Sequence, residues 1–305
     1  MRPLPLAVLC LAAAPASAEV PSVLADTAPV QSLVAMVMDD LGTPELILPP
    51  GTSPHEASLT PSEAQALTEA DLIVWTGPEF LPWLQQGLDS LAPDTPQLAL
   101  LDAPGWEPLP LRRDPHLLEA DAHEHEHAEA GEAIDPHAWL DPEVAAAWLT
   151  PIAESLAAVD PEDAATYRAN AAAAARRLQA LRADLVARLG PLGTGGRGYA
   201  VGHDAYQYLE RAAGLPAAWA VSDATGLAPA PMTVADLREA VVSGEVGCLL
   251  IDAETDPAWA ATLGEGADLR AARVDPEGLS LTPGPDLYPT LIGNLADAIA
   301  PCLAP

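Results

Sequence analysis

The stretch from Asp160 to Gly190, DPEDAATYRANAAAAARRLQALRADLVARLG, decides the architecture of this chain. Its Asp-Pro-Glu-Asp start is typical of a capped, acidic first helical turn, its body is rich in alanine, and arginines gather toward its end. At 1.5 Å per residue, a helix of about 30 residues spans roughly 45 Å. Neither half of the chain needs a helix that long for its own core. The stretch therefore predicts a rigid strut between two lobes.

On both sides of this helix, short β-like runs alternate with helical patterns. Thr60-Pro61-Ser62-Glu63 predicts a helix start, with Thr60 as N-cap and Glu63 at the capping-box position. The β-then-α rhythm predicts an α/β fold in which two similar lobes, each a parallel sheet covered by helices, are joined by one long linker helix. No sequence repeat relates the two halves. The predicted strands are Val20–Ala25, Glu45–Leu48, Asp71–Thr76, Tyr199–Val201, Ala217–Val221 and Gly247–Ile251.

The N-terminus has the form of a secretory signal. A basic Arg2 precedes an apolar run from Leu4 to Ala14, and Ala16-Ser17-Ala18 forms an A-x-A cleavage site. The run is shorter than the roughly 20 residues that span a bilayer, which disfavours a membrane anchor. Lipidation at Cys10 is a further alternative, disfavoured by the bulky Leu9. We therefore predict cleavage after Ala18 and a periplasmic mature protein.

The predicted division of the chain follows from these two features. Residues 1–18 form the signal peptide, residues 19–158 the N-terminal α/β lobe, residues 159–189 the linker helix and residues 190–305 the C-terminal α/β lobe. The first lobe includes a His-rich loop at 116–132. We predict a monomer.

The formal net charge of the chain is −31. Such a field repels nucleic acid and anionic membranes, so neither is expected as a partner, and it attracts cations. An acidity that serves only solubility is the alternative, and charge alone does not separate the two.

Three histidines lie in loops between predicted elements, each apart from the His-rich loop. They are His55 after Pro-Gly-Thr-Ser-Pro, His137 in Asp135–Pro142 (DPHAWLDP) and His203 in Gly202–Tyr206 (GHDAY). In α/β sheets, ligand sites gather at the carboxyl ends of strands. Three imidazoles from such loops suit zinc and leave a fourth position open. A lone loop histidine is more often merely solvated, so their joint placement carries the metal hypothesis.

A second group, His123, His125 and His127, lies among acidic and small residues in Glu119–Glu132. The segment has too little apolar surface to pack, so a mobile loop is predicted. It is either a weak secondary metal site or an inert solvated loop. Cys248 and Cys302 remain after signal removal, and an even pair in an exported protein indicates one disulfide, with two buried thiols as the alternative.

The chain resembles the substrate-binding proteins of metal-importing ABC transporters (cluster A-I), and most closely their ZnuA-type zinc members. The resemblance covers essentially the whole mature chain. It rests on the stretches Leu48–Leu59 (LPPGTSPHEASL), Ala70–Glu79 (ADLIVWTGPE), Asp135–Pro142 (DPHAWLDP), Gly202–Tyr208 (GHDAYQY) and Val274–Leu279 (VDPEGL).

The resemblance implies that Zn²⁺ is bound as cargo in the cleft between the lobes and handed to an ABC permease of the inner membrane. His55, His137 and His203 match the family's three histidine ligands. Asp275 matches a position where many members supply a fourth ligand, with water as the alternative. Nitrogen ligands favour zinc over manganese. The resemblance also implies a Cys248–Cys302 disulfide and a zinc-capturing role for His123, His125 and His127.

Two rival functions follow from the same residues. A His₃ zinc with an open fourth position could activate water in a hydrolase or lyase, but a fourth ligand at Asp275 would oppose that. An adhesin or a periplasmic zinc buffer without a permease is the third hypothesis. We predict a binding protein rather than an enzyme.

Overall fold

The computed structural model describes residues 20–54, 58–112, 133–222 and 231–305. The N-terminal lobe is built on four parallel strands in the order β2-β1-β3-β4. These strands are β1 (Val23–Ala25), β2 (Glu45–Leu46), β3 (Leu72–Trp75) and β4 (Gln97–Ala99), and the helices of this part are α1 (Ala28–Met38), α2 (Pro61–Glu69), α3 (Pro82–Leu91) and α4 (Pro142–Val159). The capping box predicted for α2 is present, since Thr60 and Glu63 exchange hydrogen bonds.

The C-terminal lobe is a second parallel sheet in the order β6-β5-β7-β8. Its strands are β5 (Gly198–His203), β6 (Trp219–Ser222), β7 (Val246–Ile251) and β8 (Arg270–Arg273). The helices that precede and cover it are α5 (Ala164–Leu189), α6 (Leu192–Gly195), α7 (Gln207–Ala213), α8 (Pro231–Ser243), α9 (Ala258–Gly264) and α10 (Leu287–Leu303). The two sheets have the same strand order, so the predicted pair of similar α/β lobes is confirmed. No repeat in the sequence indicates this similarity.

The linker helix begins later than predicted. α5 starts at Ala164, whereas the sequence placed the linker over 159–189. Asp160 instead closes α4, because its backbone N–H donates to the Leu156 carbonyl at 2.8 Å. Its carboxylate accepts the Tyr167 hydroxyl at 2.8 Å. The acidic stretch 160–163 is therefore a turn between two helices rather than the first turn of α5.

α5 is about 39 Å long at 1.5 Å per residue, and it packs against elements of both lobes. It contacts α1 and α4 from the N-terminal part of the chain and α7 and α10 from the C-terminal lobe. The buried positions recur every three, four or seven residues, which places them on one helix face: Tyr167, Ala171, Ala174, Leu178, Leu185 and Leu189.

One contiguous apolar core runs through both lobes. It includes Val74 of the first sheet, Leu178 of α5, Tyr208 of α7 and Leu291 of α10. A separate, smaller cluster lies in the second lobe and includes Leu237 of α8 and Leu249 of β7. Because the main core is shared, separating the lobes would expose apolar surface at roughly 25 cal/mol per Å². This opposes a wide hinge motion.

Charged side chains also join the lobes. The Arg112 guanidinium binds both carboxylate oxygens of Asp204 through Nε and Nη2, and its Nη1 donates to Glu210 at 2.7 Å. Arg211 of α7 donates to the Asp141 carboxylate at 3.1 Å. Such fork-shaped pairs fix orientation as well as distance.

Cys248 of β7 and Cys302 of α10 form the predicted disulfide, with Cα atoms 5.5 Å apart. It ties the C-terminal helix to the centre of the second sheet. Within the described ranges, no helix is long and apolar enough to cross a membrane.

Replacing both cysteines, as Cys248→Ala/Cys302→Ala, should lower the free energy of unfolding. The bond closes a loop with a sequence separation of 54 residues, which the chain-entropy model values at about 4 kcal/mol. Urea unfolding of the oxidised wild type and the double variant measures the difference. A variant as stable as the oxidised wild type would show that the bond does not restrict the unfolded chain, and reduced wild type is the control.

Asp26 joins the carboxyl ends of two strands in the first sheet. It directly follows β1, and its carboxylate accepts the backbone N–H of Thr76 at 2.6 Å and that of Thr27 at 2.7 Å. Burial raises the pKa of Asp26 to about 6, although these hydrogen bonds hold it lower than burial alone would.

The substitution Asp26→Asn should remove a pH-dependent part of the stability. The folded-state pKa of about 6 exceeds the ordinary value of 3.8, so the folded protein favours the protonated form of Asp26. Asp26 therefore adds most to the free energy of unfolding below about pH 4, and this contribution is lost as the pH rises through about 6. We expect the unfolding free energy of wild type minus that of Asp26→Asn to fall by about 2 kcal/mol between pH 4 and pH 7. Urea titrations across that range test this. The exposed Asp94→Asn is the control, and a constant difference would contradict the prediction.

Candidate metal centre

His137 lies in a tight turn that the DPHAWLDP motif builds. Asp135 accepts the backbone N–H of His137 at 2.9 Å, which closes the turn. Ala138–Leu140 then form a buried 3₁₀ turn, and the side chain of Asp141 caps α4 by accepting the Glu143 N–H at 2.8 Å. Asp135 and Asp141 therefore each have a local structural role, and together they fix the turn that carries His137.

The same Asp135 carboxylate orients the imidazole of His137. Its Oδ1 lies 2.9 Å from Nδ1, and its Oδ2 accepts the side-chain amide of Gln207 at 3.1 Å. Burial acts to raise the pKa of Asp135, but the hydrogen bonds and charge interaction with His137, together with the hydrogen bond from Gln207, outweigh it and hold the pKa below its usual value. An ionised carboxylate can only accept. In the neutral imidazole, the hydrogen therefore lies on Nδ1, and Nε2 has the lone pair that a metal needs.

His203 is the last residue of β5, so it stands at the carboxyl end of the second sheet. Its Nδ1 is 3.6 Å from Oε2 of Glu254. Gly202 precedes it, and a Cβ at that position would overlap the side chain of Thr255. Thr255 donates to Asp252 at 2.6 Å, so the glycine allows the turn after β7 to pack directly beside His203.

The structure brings His137 and His203 together. Both side chains are buried, and their ring centres are 4.9 Å apart at an angle of 75°. Two imidazoles on one tetrahedral zinc, bonded at about 2.0–2.1 Å, have ring centres roughly 5 Å apart. Phe80 and Trp139 pack edge-on or tilted against His137, with ring centres 5.6 and 5.4 Å away. This apolar wall restricts water at the pair.

Asp275, the predicted fourth ligand, lines a small cavity together with His203, Glu254 and Glu277. Its Oδ1 accepts the backbone N–H of Leu279 at 2.9 Å, and its Oδ2 accepts the N–H of Ser280 at 2.9 Å and the hydroxyl at 2.6 Å. The carboxylate thus closes the turn 275–280. In the described part of the chain, no three His, Cys, Asp or Glu side chains are already grouped to hold a metal ion.

The other predicted ligands lie outside the described residues. These are His55, which follows the described stem Ser53–Pro54, and the loop histidines His123, His125 and His127. The stem is anchored from both lobes: Trp83 donates to the Pro54 carbonyl at 3.1 Å, and the Ser53 hydroxyl donates to Glu254 at 2.6 Å.

Sequence reasoning missed the carboxylates that stand behind the histidines. Asp135 was visible as the acid two positions before His137, and Glu254 as an acid shortly after a buried strand. Asp204, the residue after His203, is held by the guanidinium of Arg112.

Two parallel-sheet lobes joined by a long helix, with imidazoles meeting between them, define a metal-binding solute-binding protein. The family described as "ZnuA: Zinc-uptake complex component A periplasmic" matches residues 23–302. The chain belongs to this ZnuA family, which is a family of transport components.

Relatives and solved structures agree with this. A Paracoccus denitrificans (strain Pd 1222) protein named "High-affinity zinc uptake system protein ZnuA" is 40% identical, over 97% of this chain and 96% of the relative. A protein of the same name from Brucella suis biovar 1 (strain 1330) is 33% identical over 90% of each chain. A solved structure described as "Crystal structure of ZnuA" has a TM-score of 0.78 at 22% identity, covering 94% of this chain and 100% of that one. The last similarity establishes the fold.

The close packing at Gly202 generates a stability prediction. Gly202→Ala should displace Thr255 and the Asp252 turn beside His203, costing about 1–3 kcal/mol, as overpacking in a core does. Urea unfolding measures the loss. Gly293 in α10 is the matched control, because a Cβ there meets nothing within 4 Å, and Gly293→Ala should be neutral or stabilising by up to about 1 kcal/mol. Equal effects at the two glycines would refute the packing role of Gly202.

Proposed function

We propose that this chain binds Zn²⁺ between its lobes through His55, His137 and His203 and delivers it to an ABC permease for zinc uptake. The observation that carries the proposal is the buried His137–His203 pair, with ring centres 4.9 Å apart and a carboxylate near Nδ1 of each ring. Carboxylate-backed imidazoles are the usual ligands of zinc. Family membership and the named zinc-uptake relatives support the same function.

Asp275 is proposed as the fourth ligand because it shares a cavity with His203. A carboxylate has about four lone-pair positions, so the three hydrogen bonds that it accepts leave capacity for a metal. A filled fourth position would suppress hydroxide formation on the zinc, which supports binding rather than catalysis.

Zinc capture and release are proposed to involve local rearrangement. The net charge of −31 raises the local concentration of cations around the protein. The shared core and the Arg112 and Arg211 contacts hold the lobes together, so docking onto the permease would open the site by moving loops rather than by a wide hinge. The mature chain, cleaved after Ala18, is proposed to act as a periplasmic monomer. The loop that contains His123, His125 and His127 is proposed as an accessory zinc site.

Competition titration of Zn²⁺ against a chromophoric chelator at neutral pH tests the ligand set. The mature wild type should bind one ion tightly, and His137→Ala and His203→Ala should each weaken that binding by at least about a hundredfold, because each variant loses one of the coordinate bonds to the zinc. Deleting Glu119–Glu132 should retain the tight site. Asp275→Asn should weaken it less than the histidine variants do.

Two results would overturn the proposal. Tight binding that survives His137→Ala and disappears with the loop deletion would move the site to the loop. No tight zinc binding by the wild type would exclude zinc as the cargo. The exposed Asp94→Asn is the control for a general effect of lost negative charge.

A further inference from the structure

Glu254 occupies a rigid turn directly after β7. The Asp252 carboxylate accepts the backbone N–H groups of Glu254 and Thr255 at 3.2 and 3.0 Å and the Thr255 hydroxyl at 2.6 Å. Asp252 also accepts the hydroxyl of Tyr206 at 3.3 Å. The backbone of Glu254 is therefore fixed beside the end of β5, where His203 lies.

The Glu254 carboxylate faces two partners on opposite sides of the cleft. Its Oε1 accepts the Ser53 hydroxyl of the N-terminal lobe at 2.6 Å, while its Oε2 is 3.6 Å from Nδ1 of His203 in its own lobe. The second distance is within ion-pair range but longer than a hydrogen bond of 2.7–3.2 Å. The His203 side chain is 4% exposed and that of Glu254 is 18% exposed, so water screens the pair little.

A second carboxylate has the same arrangement with the lobes exchanged. Asp135 contacts Nδ1 of His137 in its own lobe at 2.9 Å. Its other oxygen accepts the amide of Gln207, from α7 of the C-terminal lobe, at 3.1 Å. Each histidine thus has a carboxylate from its own lobe behind Nδ1, and each carboxylate is held by a polar side chain from the opposite lobe.

We infer that Ser53 and Gln207 are positioning residues that couple zinc affinity to the contact between the lobes. This inference rests on the proposed function. A metal on Nε2 requires the proton on Nδ1, and an aligned carboxylate favours that tautomer and strengthens the ligand. With a metal held on Nε2 of His203, the Glu254 carboxylate would accept the hydrogen of Nδ1, and the Ser53 hydroxyl, bound to the other carboxylate oxygen, would keep it aligned for that contact. If the contact between the lobes loosened, Asp135 and Glu254 would lose their partners from the opposite lobe. His137 and His203 would then be held less firmly in the orientation that binds zinc.

The test measures zinc dissociation from the full mature chain by chelator competition. Ser53→Ala and Gln207→Leu should each accelerate dissociation about tenfold, the lower end of the effect of lost outer-shell contacts, with one zinc still bound per chain. The double variant should show the product of the two effects or more, because each substitution acts on a different ligand. Ser53→Thr, which keeps the hydroxyl, should restore the wild-type rate.

Ser32→Ala is the matched control. The Ser32 hydroxyl also joins the lobes, donating to the Gly284 carbonyl at 2.7 Å, but it contacts neither carboxylate. It should leave the dissociation rate unchanged even where urea unfolding shows lower stability. Imidazole ¹⁵N spectra of the zinc-loaded protein add a readout that a purely structural role would not alter: the Nδ1 signal of His203 should shift in Ser53→Ala and stay unchanged in Ser32→Ala.

The possible outcomes separate this inference from the proposed function. Unchanged dissociation in Ser53→Ala and Gln207→Leu, or an equal acceleration in Ser32→Ala, would overturn the coupling while zinc binding by the wild type stands. Should Ser53→Ala not fold, Glu254→Gln interrupts the same link at nearly constant volume, and an unchanged rate in that variant would also overturn it. A wild type that binds no zinc would overturn both proposals.

Discussion

The single apolar core that passes through both lobes is the constraint on which the rest of the structure depends. α5 contributes one buried face to it, and α10 returns from the second lobe to pack against α1 and α5 of the first part of the chain. Burial of this kind is non-directional and strong in sum. It holds the two sheets at a fixed separation, and that separation places His137 and His203 at the distance that one metal ion can bridge.

Polar contacts refine what the core holds in place. The core determines where the strand ends are, but an imidazole can still rotate, and its proton can lie on either nitrogen. Asp135 and Glu254 stand behind the rings, and Arg112 ties Asp204, the neighbour of His203, to the first lobe. Buried carboxylates are costly unless they accept several hydrogen bonds. Asp204 directly follows β5 and Glu254 lies shortly after β7, so this cost falls beside His203, where the orientation of a ligand matters.

Much of this organisation was predictable because it depends on local rules. The capping box at Thr60, the buried strand around Val74, the α/β rhythm and the Cys248–Cys302 pair all follow from short patterns in the chain. The start of α5 was not predictable, because Asp160 and Pro161 are as compatible with a turn as they are with the start of a helix. The choice depended on the Tyr167 hydroxyl and on the end of α4. The Asp275 prediction stays open, since the same carboxylate suits a metal and a turn.

By itself, the sequence determined six of the eight described strands, the one cysteine pair available for a disulfide, and the family, since capping, periodicity and motif order are properties of neighbouring residues. Only the tertiary structure decided which residues from distant parts of the chain meet. Three hydrogen bonds join residues more than seventy positions apart: Ser53 donates to Glu254, Gln207 to Asp135 and Trp139 to the Pro276 carbonyl. Such contacts depend on how two sheets pack around a shared core, and no local pattern encodes a distance across a cleft.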